Sequence, residues 1–520
     1  MLNEMSASVD EPTPPRAESQ SQTRPHAVVI GSGFGGLAAA VRLGARGYRV
    51  SVVERLDQAG GRAAVFKQDG FTFDAGPTIV TAPFLFEELW TMCGKRMSDD
   101  VTLKPMMPFY RLMFADGTEM DCSGDAEAMR AEISKFSPDE VAAYENFLVE
   151  CEAIYKVGFE QLGHVPFTTI MDMVKAIPSM AMLRADRSLY SLVAKRIRDP
   201  RLRIALSFHP LFIGGNPFTV TCIYALVIHL ERIYGVHYAM GGTGQLVKGL
   251  VSLVEGQGGQ IILNSTVTSI ALDGKKATGV TLETGETIEA DIVVSNACAA
   301  WTYRNLLPQN ARSRWTDRKL DRTRQSMSVF VWYFGTKRRY DDVLHHTIML
   351  GPRYKELLTD IFKHKILADD FSLYLHRPSA SDPSVAPDGC DAFYVLSPVP
   401  NLQGDTDWAT AAEPYRQKIE DHLAATLLPG LGDEIVTSRF MTPVDFQDQL
   451  LSAHGAAFGI EPILLQSAWF RPHNKSEDVD NLFLVGAGTH PGAGMPGVLS
   501  SARVLDSVVP HASAFSRSYA

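Results

Sequence analysis

AVVIGSGFGGLAAAVRLGARGYRVSVVE, residues 27–54, is the stretch on which the fold turns. It runs as an apolar segment, a glycine turn, a small-residue helix and a second apolar segment ending in an acid, the order of a βαβ unit that cradles a dinucleotide. Gly31 permits the tight turn, Gly33 lets the backbone approach a pyrophosphate, and Gly36 lets the helix pack on its strand, with Gly35 in the same turn. The helix start offers free N–H groups and the positive end of its dipole. Glu54, 18 residues past Gly36, stands where a carboxylate accepts hydrogen bonds from ribose hydroxyls, and an acid there suits a ribose without a phosphate. Gly60, Gly61 and Arg62 follow, then FDAGP at 73–77, which places more glycines and a cation near the same ligand.

A second glycine loop, VGAGTHPGAGMPG, spans 485–497, after the apolar NLFL and before VLSSARVL. The grammar repeats: strand, glycines and a proline, then a helix whose start favours negative charge. Gly486, Gly488, Thr489, Gly497 and Val498 are its candidate contacts. One loop for a pyrophosphate and another helix start for a ring that gains negative charge on reduction require a cofactor long enough to reach both, and FAD meets that requirement.

The chain has 520 residues, 45% hydrophobic and 21% charged, enough for two or three domains with sizeable cores. Residues 1–25 are rich in Pro, Ser, Gln and Glu, a composition expected to give a loose tail, and they lack the apolar core of a secretory signal. Six scattered cysteines suit reduced thiols rather than a disulfide frame. A net charge of -10 argues against a nucleic-acid partner. His345 and His346 are adjacent, but no spaced His or carboxylate set accompanies them, so no metal is expected.

Between the loops, 240–297 returns to the nucleotide domain. A helix over GGTGQLVKGLVSLVEG precedes the short β-rich runs QIILN, STVTSIAL, ATGVTLE, ETIEA and DIVVSNA. Read as a parallel strand, STVTSI puts the backbone of Val267 beside the adenine end of the cofactor. Residues 184–203 carry seven basic and two acidic residues, and LSFHPLFIGGNPFTVTCIYALVIHL, 206–230, has no formal charge. Pro210 and the Gly-Gly-Asn-Pro at 214–217 break that stretch, so it cannot span a membrane as one helix. It reads either as buried core or as a greasy mouth on a bilayer, with the cations beside anionic headgroups. Residues 301–475 alternate aromatic strands with Pro-rich turns, as a mixed sheet walling an apolar pocket would.

The first glycine cradle, GGRAAVF, FDAGPTIV, RADRSLY, GVHYAMGGTGQLVKGL, HHTIMLGPRYKEL, FSLYLHRPS, QSAWFRPHN and the THPGAG of the second loop together resemble the bacterial and fungal phytoene desaturases, FAD-dependent carotenoid dehydrogenases, over 26 to about 510. The resemblance implies an amine-oxidase-like flavoprotein that introduces C=C bonds into phytoene, a C40 apolar polyene, by hydride transfer to FAD. The products would be ζ-carotene, neurosporene or lycopene. It implies a cytoplasmic protein peripherally attached to the inner face of the membrane, with quinone or oxygen left open as the electron acceptor. Each step also releases a proton. Asp186, flanked by Arg184 and Arg187, is the expected acceptor, with His209 and His490 as rivals. A sibling carotenoid oxidoreductase, an isomerase, a shorter-chain desaturase or an amine oxidase would use the same fold, and a non-enzymatic isoprenoid-lipid carrier is the alternative of another class.

The expected class is α/β. A discontinuous Rossmann-type FAD-binding domain comprises 26–105, 236–300 and 476–520, a mixed-sheet substrate domain covers 301–475, and a helical region with membrane association left open covers 106–235.

Overall fold

The computed structural model describes residues 24–515, so nearly all of the tail expected over 1–25 lies outside the described residues. His26–Ile30, the first apolar run, is buried along its whole length and pairs in parallel with Arg49–Val53. The helix Phe34–Ala45 connects them. The complete parallel sheet has the order Leu482–Leu484, Ile292–Ser295, His26–Ile30, Arg49–Val53, Gln260–Ile262, so three distant segments of chain interleave in one layer.

Strand alternation explains why both faces of this sheet are covered. Ala27 and Val29 pack beneath the first helix with Leu37, Val41 and residues of the C-terminal helix Met495–Val508. Val28 and Ile30 point the other way, into a cluster with Ile270, Val280, Tyr303 and Trp315. Each such aliphatic side chain contributes about 1.5–3 kcal/mol on burial. Arg42, buried between the two helices, is paired with Asp506 at 2.6 Å and Glu88 at 2.9 Å, which ties the end of the chain to its beginning.

Val267 departs from the expected parallel strand. Val267–Asp273 belongs to a separate three-stranded sheet and pairs antiparallel with Lys276–Leu282. The Asp273–Gly274 turn connects the two strands directly, a link too short for a parallel crossover.

A seven-stranded mixed sheet forms the second layer, in the order Ile435–Met441, Ser328–Thr336, Asp391–Val399, Leu373–His376, His346–Met349, Tyr110–Met113, Glu119–Cys122. Its last two strands come from the 106–235 region, and only the pairing of His346–Met349 with Tyr110–Met113 is parallel. The strand Ser328–Thr336, one in from the sheet edge, is buried on both faces. Phe330, Trp332 and Phe334 lie under the helix Trp408–Thr426, while Val329, Val331 and Tyr333 face inward.

The uncharged stretch at 206–230 folds as the breakers require: a 3-10 turn His209–Ile213, a loop, a 3-10 turn Cys222–Ala225, then the helix Leu226–Tyr234. Phe208, Pro210, Cys222, Ala225 and Leu230 are buried, so much of this stretch is interior wall. The exposed apolar surface lies earlier, on the helix Ile170–Met182, whose Ile170, Met171, Val174, Ile177 and Met182 are 47–75% exposed.

Candidate functional site

The two glycine loops meet. A β-carbon on Gly35 would lie 3.0 Å from the α-carbon of Gly486 and 2.6 Å from Oδ1 of Asn296. Asn296 follows the strand Ile292–Ser295; its backbone N–H donates to Ile30 O at 2.8 Å and its side-chain amide to Gly31 O at 3.4 Å. It therefore lies between the loops and holds the first one in register. A β-carbon on Gly36 would overlap the carbonyl oxygen of Gly31, so at this position only glycine allows the helix so close to the turn.

Both helix starts open on one cavity of about 480 Å³, which continues between the sheets. Gly31, Gly33 and Gly35 line it at one helix start, Gly486, Gly497 and Val498 at the other. Glu54 lines it as well. Its Oε2 accepts from the Ser32 N–H at 2.9 Å and the Ser32 hydroxyl at 2.7 Å, and its Oε1 from the Leu56 N–H at 3.0 Å. The carboxylate is thus fixed at the end of its strand with acceptor capacity to spare.

Arg62, beside Gly60 and Gly61, completes the cradle. Among the described residues no carboxylate lies within 4.0 Å of its guanidinium; Nη2 donates to Ser452 Oγ at 2.5 Å and Nε has no partner. Burial lowers its pKa from the ordinary arginine value. A cation at the cavity wall with open donors, next to a helix N-terminus, is a site for an anion. The residues present fit FAD: the first loop and Arg62 would hold its pyrophosphate, Glu54 its ribose, and the start of Met495–Val508 its ring.

The rest of the cavity is apolar. Phe208, Leu211 and Phe212 face Val329, Val331 and Leu396 across it. Tyr374 and Thr78, joined by a 2.6 Å hydrogen bond, are among its few polar groups. Such a wall accepts a long hydrocarbon and offers little to a polar substrate.

Other sequence candidates are placed differently. Val267 lines the cavity. Gly36, Gly488 and Thr489 sit behind the loops: Thr489 is fully buried and donates to Pro472 O at 2.5 Å, and Gly488 packs on Ala299. Arg184, Asp186 and Arg187 are outside the cavity lining. The Asp186 side chain is 61% exposed and pairs with Arg184 at 3.2 Å, a hydrogen bond that lowers its pKa from the ordinary carboxylate value and makes it a weaker base. His490, on the second loop, is buried, bonds Leu162 O at 3.1 Å, and is pushed down to about 4 chiefly by burial. His209 hydrogen-bonds Tyr110 inside the wall.

Strand pairing brings His376 onto the adjacent His345 and His346, and the three buried rings present nitrogens within 4.8 Å of one another, a set that could hold a metal ion. Burial lowers His345 to about 3 and takes the other two well below 6.5, so all three are neutral at pH 7. The third ring comes from a strand 30 residues on, so the spacing of residues around His345 and His346 gives no sign of the cluster.

The flavin-containing amine oxidoreductase family matches residues 34–504. The chain is 52% identical over 491 residues to the neurosporene-forming phytoene desaturase of Cereibacter sphaeroides, covering 94% of this chain and 95% of that one. It is 48% identical to the lycopene-forming phytoene desaturase of a Paracoccus species, with 93% and 97% covered, and 36% to the ζ-carotene-forming enzyme of Myxococcus xanthus, with 92% of each covered. Among solved structures, putrescine oxidase bound to putrescine superposes with a TM-score of 0.61 at 14% identity, over 94% of this chain and 99% of that one. Cyclohexylamine oxidase from Brevibacterium oxydans gives 0.57 at 16%, over 95% and 99%. With its paired glycine loops and its open Arg62 cradle, the chain belongs to the flavin-containing amine oxidoreductase family and is an FAD-dependent oxidoreductase.

Proposed function

We propose that the chain is a phytoene desaturase of the bacterial type, making neurosporene or lycopene by successive removal of a hydride and a proton. The observation that carries this reading is the continuity of the two-loop cradle with a hydrocarbon-lined cavity. FAD supplies the two-electron acceptor. The chain's own part is to hold the polyene between Phe212 and the inner sheet face, to exclude water and to accept the proton. The test is anaerobic incubation of the FAD-loaded protein with phytoene in liposomes, following flavin bleaching and product chromatography together. Bleaching coupled to longer polyenes is expected. Bound flavin without bleaching would point to another substrate or a sibling reaction, and failure to bind FAD to the lipid-carrier alternative.

The polyene partner is dissolved in lipid, and the same proposal places the protein on the cytoplasmic face of a bilayer. Among the described residues no helix is long and apolar enough to cross a membrane. The helix Ile170–Met182 supports peripheral docking. Its exposed apolar side chains follow closely on Phe159 and Gly163 at the cavity wall, with the exposed Lys175 on the same helix.

A further inference from the structure

Glu231, on the helix Leu226–Tyr234, is a carboxylate 3% exposed that lines the apolar part of the cavity. Its Oε2 accepts from the Tyr110 hydroxyl at 3.0 Å and lies 3.5 Å from His209 Nε2, and Tyr110 and His209 are themselves 3.0 Å apart. Among the described residues its Oε1 has no hydrogen-bond partner, and neither has His209 Nδ1. No lysine or arginine among the described residues lies within 4.0 Å of it. A carboxylate in an apolar wall is costly unless satisfied, and here one oxygen is held by a closed triangle while the other is enclosed without a partner among the described residues.

We infer that Glu231 is the proton acceptor of the desaturation, its carboxylate receiving the proton, with Tyr110 and His209 as positioning residues. The inference rests on the reading of the chain as a desaturase. In each step one C–H bond breaks and its electron pair leaves as hydride to the flavin, which is reduced. The neighbouring C–H bond then breaks, its pair becomes the new C=C bond, and the proton forms an O–H bond on the Glu231 carboxylate. A carboxylate also stabilises positive charge on the adjacent carbon while the proton is in transit, which an exposed base outside the cavity would not do. Tyr110 and His209 fix the carboxylate plane through Oε2, and the free His209 nitrogen offers the proton a way onward.

The experiment uses the full-length FAD-loaded protein and phytoene liposomes. Glu231→Gln keeps the shape and the bond from Tyr110 but cannot take a proton. Flavin bleaching and product formation are expected to fall by about 10²–10⁴-fold, while FAD content, melting temperature and phytoene retention on gel filtration stay at wild-type levels. Glu231→Ala, with the side chain deleted, should regain turnover with added formate, which a purely structural role would not allow. Wild-type rates in Glu231→Gln, or loss of product in Asp186→Asn with Glu231→Gln intact, would overturn the assignment while leaving the desaturase reading in place. A wild-type protein that binds FAD but neither bleaches nor forms product would overturn both. If Glu231→Gln fails to hold FAD, the formate dependence of Glu231→Ala or the partial rate of Glu231→Asp decides.

Discussion

Arg62→Met separates two effects of opposite sign. In the protein without cofactor, the guanidinium has no carboxylate partner among the described residues and gives one identified side-chain hydrogen bond, to Ser452. Removing it loses about 1 kcal/mol of hydrogen bonding and relieves a comparable desolvation cost, so apoprotein stability should change by less than about 1 kcal/mol. With FAD bound, one or two charge-assisted bonds to phosphate are lost, about 1.5–3 kcal/mol each, and the Kd should rise by about 10- to 10⁴-fold. Titration of apoprotein with FAD, read by flavin fluorescence, measures the second quantity; thermal melts with and without FAD measure the first and show a smaller ligand-induced rise in the variant. An unchanged Kd, or an apoprotein destabilised by several kcal/mol, would refute the assignment of Arg62 to the pyrophosphate.

Gly36→Ala forces a β-carbon onto the Gly31 carbonyl, so it should cost at least about 1–3 kcal/mol and yield protein without flavin absorbance. Met171→Glu with Val174→Glu charges the exposed helix; vesicle co-sedimentation should drop by 10-fold or more while the melting temperature holds, because both side chains already face solvent. Acid should destabilise the fold. The neutral His490, His345, His346 and His376 have folded pKa values below 6.5, so the unfolded chain binds more protons and stability falls as pH drops below about 6.5. Asp74, raised by burial to about 6, and Glu461, raised by burial from its ordinary value, oppose this, two carboxylates against four histidines; a melting temperature that rises from pH 6.5 to 4.5 would contradict the balance. Dialysis against a chelator should leave melting temperature and FAD binding unchanged, since each of the three clustered imidazoles already has a hydrogen-bond partner at Nδ1 within the protein; release of a stoichiometric divalent ion with a fall in melting temperature would show otherwise.

The parts of the site made by local chain are legible in the sequence. Glycines at fixed offsets, an acid at the next strand end and a second loop of the same grammar suffice to place both helix starts, because each works through its own turn. Groups assembled across the fold are not. Asn296 reads as an ordinary residue after a strand, and its place between the loops arises only when 292–295 slides in beside 26–30. Glu231 reads as the first charge after an apolar run, where a solvated helix face is the ordinary expectation, yet the helix Leu226–Tyr234 turns it inward. The RADR segment advertises charge, but Arg184 and Asp186 satisfy each other in a surface turn. The apolar residues of 170–182 have the spacing of a core-facing helix, and only tertiary packing reveals that they face out.

The interleaved parallel sheet also sets a timetable for synthesis. Residues 26–54 leave the ribosome long before the segments that flank them: their strand pairs with Ile292–Ser295, and the helix Phe34–Ala45 packs on Met495–Val508. At roughly 5–20 residues per second, the glycine cradle waits tens of seconds for the segments that bury it. Until then its apolar strands are exposed to aggregation, and the second helix start does not yet exist. Flavin capture is therefore a late event for a nascent chain, and a ribosome halted between 300 and 480 would release a product that needs chaperone protection whatever the supply of FAD.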